Sequence, residues 1–205
     1  MRIVNIAVIV LASIVMSGCG GGSNGSDKGS GLVSSKSYLV STSDAPQHIT
    51  LASNQNIIAE GSCTTTKIYG GNGASYESKT NLNSGDYTVV FTEVFNKYTG
   101  SKSALYYTGS GITLPEIPLN TKITAPSRSV VLFKLTVPPG QYYMIDQSNA
   151  WVKVFNQNLE NIIYTNSWEE GIHAGDSFTL PEGVYFVLGN VWSCRSDGTF
   201  RLVEL

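Results

Sequence analysis

From Tyr38 to Glu204 the apolar residues fall in short runs, often at every second position, and almost no stretch carries a helical period. Runs of this kind, rich in Val, Ile, Thr, Tyr and Phe and broken by Gly, Asn, Ser and Pro, predict β-strands. In the first half, strands are expected at Tyr38–Ser41, His48–Leu51, Ile57–Glu60, Thr65–Tyr69, Gly85–Val94 and Ser103–Thr108. In the second half they are expected at Ile123–Thr124, Ser129–Val137, Gln141–Ile145, Ala150–Phe155, Asp176–Leu180, Gly183–Val191 and Thr199–Glu204. Asn158–Ser167 fits either a strand or an irregular turn. Pro138-Pro139-Gly140 and Pro181-Glu182-Gly183 have the composition of tight turns.

The pattern repeats. Thr66-Lys67-Ile68-Tyr69 leads through a polar loop to Leu82-Asn83-Ser84-Gly85-Asp86-Tyr87-Thr88-Val89. Val152-Lys153-Val154-Phe155 leads through a longer loop to Leu180-Pro181-Glu182-Gly183-Val184-Tyr185-Phe186-Val187. Lys67 matches Lys153 at an offset of 86, and Tyr87 matches Tyr185 at an offset of 98, so the second copy carries twelve extra residues. In each copy a glycine permits a turn with positive φ and a tyrosine enters the strand that follows. The expected fold is therefore all-β, with two tandem jelly-roll-like β-sandwich units, residues 34–109 and 110–205.

The N-terminus has a different pattern. Arg2 precedes a mostly apolar stretch of about fourteen residues, Ile3 to Met16, which falls short of the ~20 needed for a membrane span. Ser17-Gly18-Cys19 follows, and residues 20–33 are almost entirely Gly, Ser, Asn, Asp and Lys. The first part has the layout of a cleaved export signal. The second part has nothing to bury and behaves as a slack tether with a reach of roughly 20 Å. Small residues just before Cys19 resemble the lipobox of bacterial lipoproteins. That resemblance implies a signal peptide at 1–18, a lipidated Cys19 as the mature N-terminus, and a linker through residue 33. It further implies a membrane partner held through the lipid, since two or more acyl chains anchor stably. Gly20 stands where an inner-membrane retention signal would have Asp, so the outer membrane of a Gram-negative envelope is the expected address.

Loss of residues 1–18 removes Arg2 and moves the formal charge from −2 to −3, too little to suggest nucleic acid as a partner. Cys63 and Cys194 form an even pair, and an oxidising compartment favours a disulfide between them. Two separate buried thiols is the other reading that the sequence leaves open.

Val131–Gly140, Val152–Phe155, Leu180–Val187 and Gly198–Leu202 together resemble the bacterial pre-peptidase C-terminal domain, a small jelly-roll β-sandwich appended to exported proteins. The resemblance covers residues 125–205 well and 36–108 only faintly. That family often carries Asp-x-Asp-Leu before its middle strand, and this chain has Ser148-Asn149-Ala150-Trp151 there. No calcium site is carried over.

Candidate chemistry is sparse. His48 and His173 lack the spacing of a zinc site, no Gly-x-Ser-x-Gly elbow occurs, and Glu169, Glu170, Asp176 and Asp146 form no evident catalytic pair. No enzyme activity, cofactor or metal is expected. Aromatic residues are the more suggestive group, because rings with polar neighbours stack on sugars or anchor protein partners. Trp151 and Trp192 sit in strands and are expected in the core. Trp168 lies in the extra loop, and Tyr142 and Tyr143 point to opposite faces of one strand, so one of the pair is expected to be exposed. Trp168, Tyr142 and Tyr143 are the candidate binding residues. The expected function is a membrane-anchored, non-catalytic binding or scaffolding module with a protein or glycan partner. A carbohydrate-binding module is the alternative, and a hydrolase comes third.

Overall fold

The computed structural model describes residues 37–77, 81–94, 100–165, 175–191 and 193–205. These residues are all β-strand, turn and loop, as the alternation predicts, and every sheet is antiparallel.

The first half builds two sheets. One joins β1 (Leu39–Ser41), β7 (Lys102–Tyr106) and β3 (Ile58–Gly61) in the order β1-β7-β3. The other joins β2 (Gln47–Leu51), β6 (Gly85–Glu93), β4 (Thr64–Gly70) and β5 (Ser75–Tyr76) in the order β2-β6-β4-β5. The second half does the same. One sheet is β12 (Asn161–Thr165), β11 (Ala150–Phe155), β14 (Gly183–Val191) and β9 (Val130–Val137), in the order β12-β11-β14-β9. The other is β13 (Ser177–Thr179), β10 (Tyr142–Ser148), β15 (Gly198–Glu204) and β8 (Ile123–Ala125), in the order β13-β10-β15-β8. β5 is two residues long, too short for any period to show in the sequence. The ambiguous stretch around Asn158 resolves into a hairpin loop followed by β12.

The internal repeat is visible in the register. Lys67 pairs with Val90, and Lys153 pairs with Leu188, so the offsets of 86 and 98 hold on adjacent strands. Ile49 faces Tyr87, and Leu135 faces Tyr185, again 86 and 98 apart. The sheet containing β6 thus corresponds to the sheet containing β14. Both tyrosines also make one and the same bond. Tyr87 Oη donates to the Asn83 carbonyl and Tyr185 Oη to the Pro181 carbonyl, each at 2.9 Å and four residues back. The intervening Gly85 and Gly183 have φ of 147° and 159°, which L side chains rarely adopt.

Three apolar layers hold the four sheets in one stack. Ile49, Leu51, Ile68, Val89 and Phe91 meet Val40, Ala59 and Leu105 inside the first sandwich. Leu135, Val137, Val152, Val154 and Val187 meet Tyr143, Ile145, Phe200 and Leu202 inside the second. Between the sandwiches, Ile58 and Ala104 pack on Val130, Leu132, Phe155, Phe186 and Leu188. β7 in the three-stranded sheet and β14 in the sheet beside it are therefore covered on both faces. This explains β14, where every residue from Tyr185 to Val191 is buried and the apolar run is nearly continuous. The described residues from 37 to 205 accordingly form one compact body.

The connection between sandwiches is stitched down as well. Ile117 N–H donates to the Lys134 carbonyl and Lys134 N–H to the Pro115 carbonyl, both at 2.8 Å, while the Tyr38 hydroxyl accepts from Leu132 N–H. These bonds occupy the outer edge of β9, which would otherwise offer unpaired amides to another strand. A disulfide joins Cys63, in the β3–β4 turn, to Cys194, in the β14–β15 turn, with Cα atoms 5.8 Å apart. It ties the first sandwich to the second.

Candidate functional site

The sheet β1-β7-β3 has three strands and lies against a sheet of four, so it leaves a strip of β11 and β12 uncovered. Alternation along these strands decides what the strip carries. Val152, Val154 and Ile163 point into the second core, so Trp151, Lys153, Ile162 and Tyr164 point the other way. Trp151, Lys153 and Tyr164 are half-buried, and Ile162 is 43% exposed. The Trp151 and Tyr164 rings meet edge-to-face with centroids 6.2 Å apart, and Lys153 Nζ sits 5.3 Å from the Tyr164 ring centre. On the side nearer the first sandwich, Lys153 forms an ion pair with Glu60 of β3, each side chain 16% exposed. Beside it Asn190 Nδ2 donates to the Gly61 carbonyl at 3.1 Å.

This shelf runs into a cleft. Its floor and walls come from the β2–β3 loop, from Asn81, and from the β11–β12 hairpin. One recess of 440 Å³ is lined by Asn56, Ile57, Glu60, Asn81, Phe155, Leu159, Glu160 and Asn161. A second of 360 Å³ shares Asn56, Asn81 and Glu160 and adds Ser53, Asn54, Gln55, Thr108, Gln157 and Asn158. The shared residues make the two one continuous space.

Local hydrogen bonding fixes these loops. Gln55 bonds Thr108 through both ends of its amide, and Asn54 Oδ1 accepts from Ser84 N–H. Asn156 Oδ1 accepts from the amides of Asn158 and Glu160, while its Nδ2 donates to Glu160 Oε2 at 2.7 Å. The hairpin also holds Leu159 at φ 60° with its side chain 3% exposed, plugged into the layer between the sandwiches. A leucine in the left-handed region is strained, and such strain persists only where the surroundings enforce it. Asn56 Nδ2 donates across the junction to the Asn158 carbonyl at 3.1 Å. The cleft is therefore preformed, polar and rigidly tied to both sandwiches.

The residues singled out in the sequence are placed elsewhere or lie outside the described residues. Tyr142 is 54% exposed on β10, in the end sheet of the second sandwich, and does not line the cleft. Tyr143 is fully buried, its ring 6.1 Å from that of Phe178. Its hydroxyl is buried with no hydrogen-bond partner in the structure, and desolvation raises its pKa above 10.0. Tyr143 is thus corrected from candidate binding residue to core residue, because the strand turns this face inward. Trp168, His173, Glu169, Glu170, Trp192 and Cys19 lie outside the described residues. Cys63 and Cys194 are bonded to each other, which excludes two separate thiols. His48 sits on the exposed face of β2 with Nδ1 3.1 Å from Thr88 Oγ1, and no metal-binding cluster occurs among the described residues. Asp146 is paired with Arg201 at 3.0 Å.

Trp151, expected in the core, is half-buried on the shelf. The loop amides carried no functional reading at all. One signal could have found them: the triplet Asn-Gln-Asn occurs at 54–56 and again at 156–158, and the two meet in the cleft. Neither the protein-family models nor the curated proteins compared with the chain give a match.

Proposed function

We propose that this chain is a lipid-anchored, non-catalytic binding module of a bacterial cell envelope. Cys19 carries the lipid, residues 20–33 form the leash, and the two stacked sandwiches present a binding surface. The outer membrane is the expected address, from Gly20 after Cys19. The observation that carries the binding reading is the preformed cleft at the junction, whose walls need both sandwiches. A glycosidase would need two carboxyls working on one bond. Here Glu60 is committed to Lys153 and Glu160 to Asn156, which favours holding a ligand over cleaving it.

The test is expression of the full chain in a bacterium with labelled palmitate, followed by crosslinking of the intact envelope. Membrane retention, incorporation of label that is lost in Cys19→Ser, and a defined crosslinked neighbour are expected. A protein that refuses palmitate and washes off in plain buffer contradicts the anchor. Turnover of a captured ligand contradicts the non-catalytic reading.

A further inference from the structure

We infer that the cleft and the adjoining Trp151 shelf bind a carbohydrate chain, an inference that rests on the binding-module reading and names its ligand class. The lining decides the chemistry. Asn56, Asn81, Gln157, Asn158 and Glu160 line a space open to solvent. The Asn56 N–H is taken by the Asn158 carbonyl and one Glu160 oxygen by Asn156. That leaves the amides of Asn81, Gln157 and Asn158 and the other Glu160 oxygen for a ligand. Amides donate and accept in one plane, and a carboxylate oxygen accepts from hydroxyls, which is the complement of a ring carrying neighbouring OH groups.

Other ligand classes fit less well. Among the described residues neither Lys nor Arg lines either recess, and Glu160 lines both while Glu60 is neutralised by Lys153, so the lining offers an anion no positive partner. The few apolar residues of the lining, Ile57, Phe155 and Leu159, are all buried, so a greasy ligand finds little surface.

The shelf extends the site. Trp151 stands four residues before Phe155 on β11, about 13 Å away at the usual strand rise. The indole is half-buried and meets the Tyr164 ring edge-to-face, and Lys153 Nζ lies 5.3 Å from that ring's centre, so the indole is packed before a ligand arrives. A packed aromatic ring beside a row of amides suits a chain of sugars, with hydroxyls bonded in the cleft and a ring face stacked on the indole.

The experiment uses the mature chain, residues 19–205, with Cys19→Ser, which carries neither the lipid nor the apolar Ile3–Met16 stretch, against immobilised β-glucan, mannan and N-acetylhexosamine oligomers. Binding to at least one is expected. Trp151→Ala should weaken it about ten-fold and Gln157→Ala several-fold, while Tyr142→Ala leaves it unchanged. Gln157 is an exposed loop residue, so its variant reads the site even if Trp151→Ala fails to fold. Undiminished binding in Gln157→Ala and in any folded Trp151 variant overturns the site. Absence of binding to every glycan, with a crosslinked protein neighbour still captured in the envelope, overturns the carbohydrate inference and leaves the binding module standing. Absence of both overturns the two together.

Discussion

The side-chain amide of Asn56 donates to the main-chain carbonyl of Asn158 at 3.1 Å, across the junction of the two sandwiches. The bond joins loops 102 residues apart and is made by a side chain only 8% exposed. Removing the donor leaves the Asn158 carbonyl to water, at a cost of about 0.5–1.5 kcal/mol. Asn56→Ala should therefore lower the urea midpoint measurably and weaken glycan binding in parallel. An unchanged midpoint would show that the two loops are held without it.

The three conspicuous tyrosines should respond differently to loss of the hydroxyl. Tyr87→Phe and Tyr185→Phe each lose a bond to a carbonyl four residues back, so each should cost about 0.5–1.5 kcal/mol. Tyr143→Phe removes a buried hydroxyl that has no partner, and should be neutral or stabilising. The same residue carries a pH signature. Its folded pKa is raised by desolvation, so its contribution is full below pH 10.0 and is lost as pH rises beyond that toward the folded value. The unfolding free energy of the native chain should fall in that alkaline window, and Tyr143→Phe should flatten the fall.

Glu60 and Lys153 form a largely buried pair that spans the sandwiches. Truncating one partner strands the other charge, typically costing about 3–5 kcal/mol, whereas replacing both by apolar residues costs far less. Lys153→Met and Glu60→Leu should each destabilise, and the double variant should lie well above their sum. Strict additivity in the denaturation series would mean the pair is not coupled.

The Cys63–Cys194 bond closes a separation of 131 residues, for which chain entropy gives roughly 4–5 kcal/mol. Cys63→Ser/Cys194→Ser should lose about that much in denaturant titration while keeping the β circular-dichroism signature, because the apolar layer at Leu132 and Phe186 remains. A loss below one kcal/mol would place the stability of the junction wholly in packing.

The strands and the duplication were legible in the sequence because alternation reports one-sided burial and because Lys67, Tyr87, Lys153 and Tyr185 mark equivalent places. The stacking was harder to see, although it is written at those same places. Phe155, Phe186 and Leu188 fill the layer between sandwiches, while their counterparts Tyr69, Thr88 and Val90 lie on the open face of the first. Periodicity shows which way a side chain points in a strand, but says little about what lies opposite. The cleft was not legible, because its residues come from loops far apart in sequence and carry no period. Tyr142 and Tyr143 lie side by side on β10, and alternation puts Tyr143 in the core and Tyr142 on the outer face, in a sheet away from the cleft.

The most direct measurement places a photo-reactive amino acid at Gln157 in the cleft, and separately at Thr92 on the open face of the first sandwich, in the full-length protein in its bacterial envelope. A covalent adduct from position 157 and none from 92 is the result expected of a module that binds through the junction. An adduct from 92 alone, or none from either position, contradicts it.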